Sequence, residues 1–287
     1  MKVRTFITGI GIITPVGTGY HEIQHFIRTG NQAIKPLRLF HSETILPTGE
    51  VNQFFPDDDL PRTHHLAMIA AADAMKTNQG NVDAIVMATS TGGMSSTEEL
   101  LRKNEQDPKK YRYHAAGSVA DYIAGQLKCI GPVITISTAC SSGTAALKMA
   151  LELIRSGRAK KVLAIASDSL CRFTYFGFHS LQLIDPNGSR PFDLNRKGMT
   201  VSEGAAALLL EAGENVPETA YAEILGAGLS CDAYHPTAPH PEGEGAVNAM
   251  LQALEDASLS PSDIDYINLH GTGTVDNDLS EAKAVNR

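Results

Sequence analysis

The stretch Ile134-Thr-Ile-Ser-Thr-Ala-Cys140-Ser-Ser-Gly-Thr-Ala-Ala-Leu decides the fold class. Its first half is β-branched and breaks at small residues, as a buried strand does. Its second half opens a helix whose apolar residues recur at three- and four-residue spacings over Thr144 to Ile154. A strand running straight into a helix is the repeating element of an α/β sheet covered by helices.

The rest of the chain repeats the alternation. The pattern predicts further strands at Val3 to Thr8, Ala84 to Thr89, Val133 to Ser137, Val162 to Ala166 and Ala205 to Leu210. Helices are expected over His64 to Met75 and Ser118 to Leu127 as well as Thr144 to Ile154, the last of them stopped by Gly157. The polar stretch Gly213 to Thr219 separates the run ending at Leu210 from a fresh strand near Tyr221. It divides the chain into residues 1–215 and 220–287.

The two parts echo each other. Ile7-Thr-Gly-Ile-Gly11 and Ile224-Leu-Gly-Ala-Gly228 each read as a strand end entering a Gly-x-Gly turn, and each is followed by a helix, alanine-rich in the first copy. Asp83-Ala-Ile-Val-Met-Ala-Thr-Ser-Thr-Gly and Asp265-Tyr-Ile-Asn-Leu-His-Gly-Thr-Gly-Thr then match as strand and Gly/Thr turn. After the anchoring aspartate 127 residues lead to Leu210 in the first copy, whereas 22 follow Asp265. The second half is therefore expected to be incomplete by about 105 residues.

Composition narrows the function classes. The 287 residues are 43% hydrophobic and 20% charged, with a formal charge of −8, which argues for a globular protein and against a general nucleic-acid binder. No apolar run nears the roughly 20 residues of a membrane span, and no cleavable leader follows the N-terminal basic residues, so a cytoplasmic protein without nucleic-acid or membrane partners is expected. Cysteines at 129, 140, 171 and 231 form no Cys-x-x-Cys pair, and no metal site is expected. Gly9-Ile-Gly11 lacks the third glycine and the acidic residue of a dinucleotide fingerprint. HPTAPH, with His235 and His240, reads as a rigid loop, and Lys109-Lys110-Tyr-Arg112 and Arg158-Ala-Lys160-Lys161 read as solvated surface that would meet an acidic partner.

Chemistry concentrates at two turns. Cys140 stands where a strand delivers it to a helix start, a place that favours the thiolate and offers amide N–H groups to an oxyanion. His270 ends an apolar strand and can give the hydrogen bond that acyl chemistry needs, with Thr272 and Thr274 beside it. Equivalent turns of two related halves would bring the pair together as nucleophile and partner.

These pieces resemble the β-ketoacyl-acyl-carrier-protein synthases, condensing enzymes of fatty acid and polyketide synthesis. The resemblance runs from ITGIGIITPVG at the start through STGG at 90–93, GPVITISTACSSG around Cys140, SRPFDLNRKGMTVSEGA from Ser189 and SCDAYHPTAPHPEG from Ser230 to HGTGT and Glu281. It implies a thiolase-like fold, layered αβαβα from two pseudo-duplicated α/β halves. It implies that Cys140 takes an acyl group from a carrier protein and that His270 promotes decarboxylation of a malonyl carrier and stabilises the enolate. Thr272, Thr274 and Thr237 would line the channel for the phosphopantetheine arm, which arrives on the carrier so that no resident cofactor is needed, and Thr91 would line the acyl pocket. Glu281 and Asp278 would support the site. A catalytic lysine, a second histidine and an Asn-Ser-x-Gly-Phe-Gly-Gly loop would lie beyond Arg287, and Met199 stands where an aromatic often follows the glycine. The expected partners are acyl carrier protein and a second, identical or related ketosynthase subunit. The alternative is a non-catalytic partner resembling the chain-length factors, which generally lack the cysteine.

Overall fold

The computed structural model describes residues 3–30, 32–56, 58–76, 78, 80–235 and 237–287. In chain order the elements used below are β1 (Arg4–Thr14), β2 (Gly17–Thr18), α1 (Tyr20–Thr29), α2 (Arg62–Ala74), β3 (Ala84–Ala88), α3 (Met94–Arg102), α4 (Gly117–Leu127), β4 (Val133–Ile136), α5 (Ser142–Arg155), β5 (Lys161–Asp168), α6 (Arg172–Ser180), β6 (Gly204–Gly213), β7 (Ala222–Glu223), α7 (Glu244–Ala257) and α8 (Val275–Val285). Two compact units emerge, one of residues 1–35, 49–175 and 202–224, the other of residues 36–48, 176–201 and 225–287.

The first unit is built on a mixed sheet of order β7-β1-β6-β5-β3-β4, with β2 hairpinned onto β1. β3 pairs in parallel with both β4 and β5, while β6 runs antiparallel to β5 and β1. Successive strand residues face opposite sides. Ile85 and Met87 of β3 join Leu163 and Ile165 of β5 beneath α2 and α4, whereas Ala84, Val86 and Ala88 join Val162 and Ala164 beneath α5. The result is three layers, helix on sheet on helix, and the central strands are apolar throughout because both of their faces are covered. The strands and helices expected in this unit all form, and Gly157 follows α5 with φ +71°.

One expectation is corrected. Gly9 and Gly11 are not a turn: β1 continues through them to Thr14, with a register irregularity between Ile7 and Gly9. They are glycine because α2 lies directly on the strand. A Cβ on Gly9 would fall 2.0 Å from the Ala74 carbonyl oxygen, and one on Gly11 1.9 Å from that of Ala70. The echo in the second unit has the same cause. A Cβ on Gly226 would lie 2.7 Å from the Ala253 oxygen and one on Gly228 2.0 Å from the Ala249 oxygen, both of α7. The Gly-x-Gly pairs thus mark places where a helix backbone lies close against an extended or strand segment: β1 in the first unit, and residues outside any strand in the second. The fresh strand beyond residue 220 is β7, two residues long, pairing antiparallel with β1 through Phe6↔Glu223 and Ile7↔Ala222.

In the second unit the amides of Ala227 and Leu229 donate to Asp256 and Gln252 of α7, and no side chain of α7 is fully buried. The apolar strand expected to end at His270 does not form: among the described residues, 264–270 pair with no strand, and 264–268 are exposed.

Candidate active site

Cys140 occupies the turn between β4 and α5, two residues ahead of the first helical residue, and is exposed. A clasp made by Ser142 shapes the turn. The Ser142 hydroxyl donates to the Ala139 carbonyl at 2.6 Å and accepts from the Thr138 amide at 2.7 Å, while the Ser142 amide donates to the same carbonyl at 3.1 Å. Ser141 adds a bond from its hydroxyl to the Thr138 carbonyl at 2.8 Å. Ala139, directly before the cysteine, is held at φ +53°, a region that a residue with a Cβ enters only under constraint. The sequence puts small residues here because the chain must reverse within four positions. The other cysteines stand in different settings. Cys171 is buried, and burial pushes its thiol pKa up, which keeps it protonated and unreactive.

Thr91 lies in the turn after β3, where its side chain is buried and its hydroxyl donates to Asp168 at 2.7 Å. The hydroxyl is thereby committed within the protein, leaving the methyl as the group able to meet an apolar chain.

The second unit assembles the other residues. Glu281, from the middle of α8, reaches back to accept the His270 amide at 2.6 Å and the Gly271 amide at 2.9 Å, one on each carboxylate oxygen. Asp278, one turn earlier on the helix and buried, accepts the Gly273 amide at 3.1 Å and the Phe192 amide at 2.7 Å, and lies 3.3 Å from the Arg196 guanidinium. The two carboxylates therefore fix the His270 turn by its backbone. Gly271 and Gly273 take φ +53° and +77° to allow it. The Thr272 and Thr274 hydroxyls lie 2.9 Å apart, and Ser189 donates to the Thr272 carbonyl at 3.0 Å.

His270, Glu281 and Asn277 line a cavity of about 200 Å³ together with Asp232, Gly243 and Ser280. Asp232 was not singled out in the sequence. Its carboxylate accepts the amides of His240 and Tyr234, which hold its pKa below the usual carboxylate range. Thr237 is exposed, and its amide donates to His235 Nδ1 at 3.2 Å. His235 and His240 spend their Nδ1 atoms on loop amides. Of the basic clusters, Lys110 is paired with Glu105 at 2.5 Å and Lys161 with Glu211 at 2.8 Å, so these two work within the fold.

Residues 56–215 match the family described as Beta-ketoacyl synthase, N-terminal domain, and residues 221–287 its C-terminal domain. The chain is 35% identical to Nodulation protein E of Rhizobium leguminosarum bv. trifolii, covering 100% of this chain and 78% of that protein. It is 32% identical to 3-oxoacyl-[acyl-carrier-protein] synthase 2 of Synechocystis sp., covering 99% and 76% respectively. Among solved structures, the ishigamide ketosynthase/chain length factor superposes with a TM-score of 0.91 at 32% identity, over 99% of this chain and 77% of that one. The shared architecture is the layered, thiolase-like α/β fold expected from the sequence, with the second half incomplete relative to that chain.

Proposed function

The chain belongs to the beta-ketoacyl synthase family of condensing acyltransferases, and from that premise we propose that Cys140 and His270 carry the family's reaction here. The Cys140 thiol gives its proton to solvent and its thiolate attacks the carbonyl of an acyl group on its carrier; a C–S bond forms, the carrier's C–S bond breaks, and the pantetheine sulfur leaves as a thiolate that takes a proton back from solvent. A malonyl carrier then loses carbon dioxide, and the electron pair of the broken C–C bond becomes an enolate. His270 donates a hydrogen bond to the enolate oxygen. The enolate carbon attacks the Cys140 thioester, a C–C bond forms, the cysteine leaves as thiolate, and the 3-oxoacyl product stays on the carrier. Thr272 and Thr274, with Thr237, are proposed to meet the pantetheine arm, and Thr91 the acyl chain. The arm comes with the carrier, so no resident cofactor is required.

One observation carries the reading: Cys140 stands at a strand-to-helix turn clasped by Ser142, inside the segment matching the family's N-terminal domain. The acidic carrier protein is the proposed partner, with a second ketosynthase-like subunit completing a dimer.

A chain-length-factor-like, non-catalytic half of a heterodimer is the second reading, favoured by the chain length factor named in the ishigamide structure. Cys140 weighs against it. The deciding experiment supplies acyl and malonyl carriers to the chain and measures carbon dioxide and 3-oxoacyl product. Release at enzyme-like rates without a second polypeptide, lost in Cys140→Ala, supports the condensing reading. Release seen only with an added ketosynthase, and unchanged by Cys140→Ala, supports the partner reading.

A further inference from the structure

The last residue of β5, Asp168, gathers the end of the neighbouring strand. Its carboxylate accepts the Thr89 hydroxyl at 2.8 Å, the Ser90 amide at 3.0 Å and the Thr91 amide at 2.8 Å, in addition to the Thr91 hydroxyl. Two links pass from this turn to the one that carries the cysteine. The Thr89 amide donates to the Ile136 carbonyl at 3.3 Å, and the Ser90 hydroxyl donates to the Ala139 carbonyl at 3.5 Å. That carbonyl belongs to the residue held at φ +53°, and it is also the acceptor of the Ser142 clasp. A single carboxylate 28 residues beyond the cysteine in sequence thus braces, from the far side, the peptide that Ser142 holds from the near side.

We propose that Asp168 is a positioning residue for Cys140, acting through Ser90 to keep Ala139 in its left-handed conformation and the cysteine at the start of α5. A non-glycine residue leaves that conformation when released, and the thiol then loses its place ahead of the helix N-terminus, where the thiolate is favoured. The inference rests on the reading of Cys140 as the nucleophile.

The test is the rate of iodoacetamide alkylation at each thiol, read by peptide mapping with exposed Cys231 as internal reference. In the unaltered chain Cys140 should react fastest. Asp168→Asn should slow Cys140 about tenfold relative to Cys231. Adding Ala139→Gly should restore most of the rate, because glycine holds a positive φ without the brace. A simple packing role for Asp168 would not be rescued in this way. Should Asp168→Asn melt below the assay temperature, Ser90→Ala, which removes one exposed hydroxyl, takes its place, with a severalfold loss and the same rescue expected. An unchanged Cys140 to Cys231 ratio in the folded variant, or a loss that Ala139→Gly leaves in place, overturns the proposal. Even labelling of all four thiols in the unaltered chain would instead remove the nucleophile reading beneath it.

Discussion

Residues 83–92 and 265–274 share one pattern, an aspartate, an apolar run and a Gly/Thr turn, but they meet different surroundings. β3 is buried along its whole length, laddered to a strand on each side and covered above and below. Residues 264–268 are exposed, with Tyr266 at 79%. The turns nevertheless share a design: backbone amides are collected by carboxylates, from the end of β5 in the first case and from α8 in the second. The turn is specified locally by small residues and a nearby acid. Burial of the strand depends on neighbours supplied by the rest of the sheet.

The largest effect that tests this difference is steric. Gly11→Val would drive a side chain into the Ala70 carbonyl, forcing α2 off a buried core, and should cost about 3 kcal/mol or more. Gly228→Val meets an equally close carbonyl, yet α7 has no fully buried side chain, so a loss of about 1 kcal/mol or less is expected. Denaturant unfolding measures both, and equal losses would break the comparison.

Next comes a contrast of histidines. His64 on α2 is fully buried, with Nε2 3.1 Å from the Ser118 hydroxyl. That hydroxyl donates to carbonyls of Tyr113 and Ala115, so His64 donates through Nε2, and its buried Nδ1 has no acceptor for a second proton. Burial lowers its pKa to about 4. The unfolded chain, with a histidine near its usual value of about 6.5, binds the proton first. Stability is therefore full above about pH 6.5 and falls as pH drops toward 4, by up to about 3 kcal/mol. Thermal melts against pH should show this slope, and His64→Gln should flatten it.

Hydrogen exchange resolves the two segments amide by amide. Amides of Ile85 to Ala88 should be strongly protected and those of 266–269 should exchange rapidly, with protection resuming at His270 and Gly271. Glu281→Gln should raise exchange at those two amides about tenfold. Even protection from 265 to 271 would contradict the difference between the segments. The smallest effect expected is at the surface: Lys109→Glu should raise the KM for a carrier-borne substrate a few-fold while sparing small thioester mimics, since a rim charge acts mainly on encounter.

Much of this was legible in the sequence. The unbroken apolar run of Ala84 to Ala88 marks a strand covered on both faces, the three- and four-residue spacing over Thr144 to Ile154 marks a helix, and both elements form where expected. Gly9 and Gly11 misled because a glycine pair in a strand looks like a turn until the helix pressing on it is seen. Helices α1, α3, α6 and α8 are only 9 to 11 residues long and bury few side chains, although the Tyr20, Ile23, Phe26 and Ile27 stripe of α1 was a readable signal. Glu281 and Asp278 came from the family pattern, and the structure supplies their bonds to the His270 turn. Ser142 stood within the quoted motif around Cys140 without its clasping role being visible, and Asp168 carried no signal of its own. Asp168 acts on residues more than 70 positions away, and a lone acid at a strand end has no sequence period to announce it.

The central claim is that Cys140 takes the acyl group, and the direct measurement is peptide mapping by mass spectrometry after incubation with an acyl-carrier thioester. The account predicts one acyl mass increment, on the peptide containing Cys140, absent in Cys140→Ala and released by hydroxylamine as a thioester is. An unmodified Cys140 peptide, or an increment spread over Cys129, Cys171 and Cys231, would contradict it.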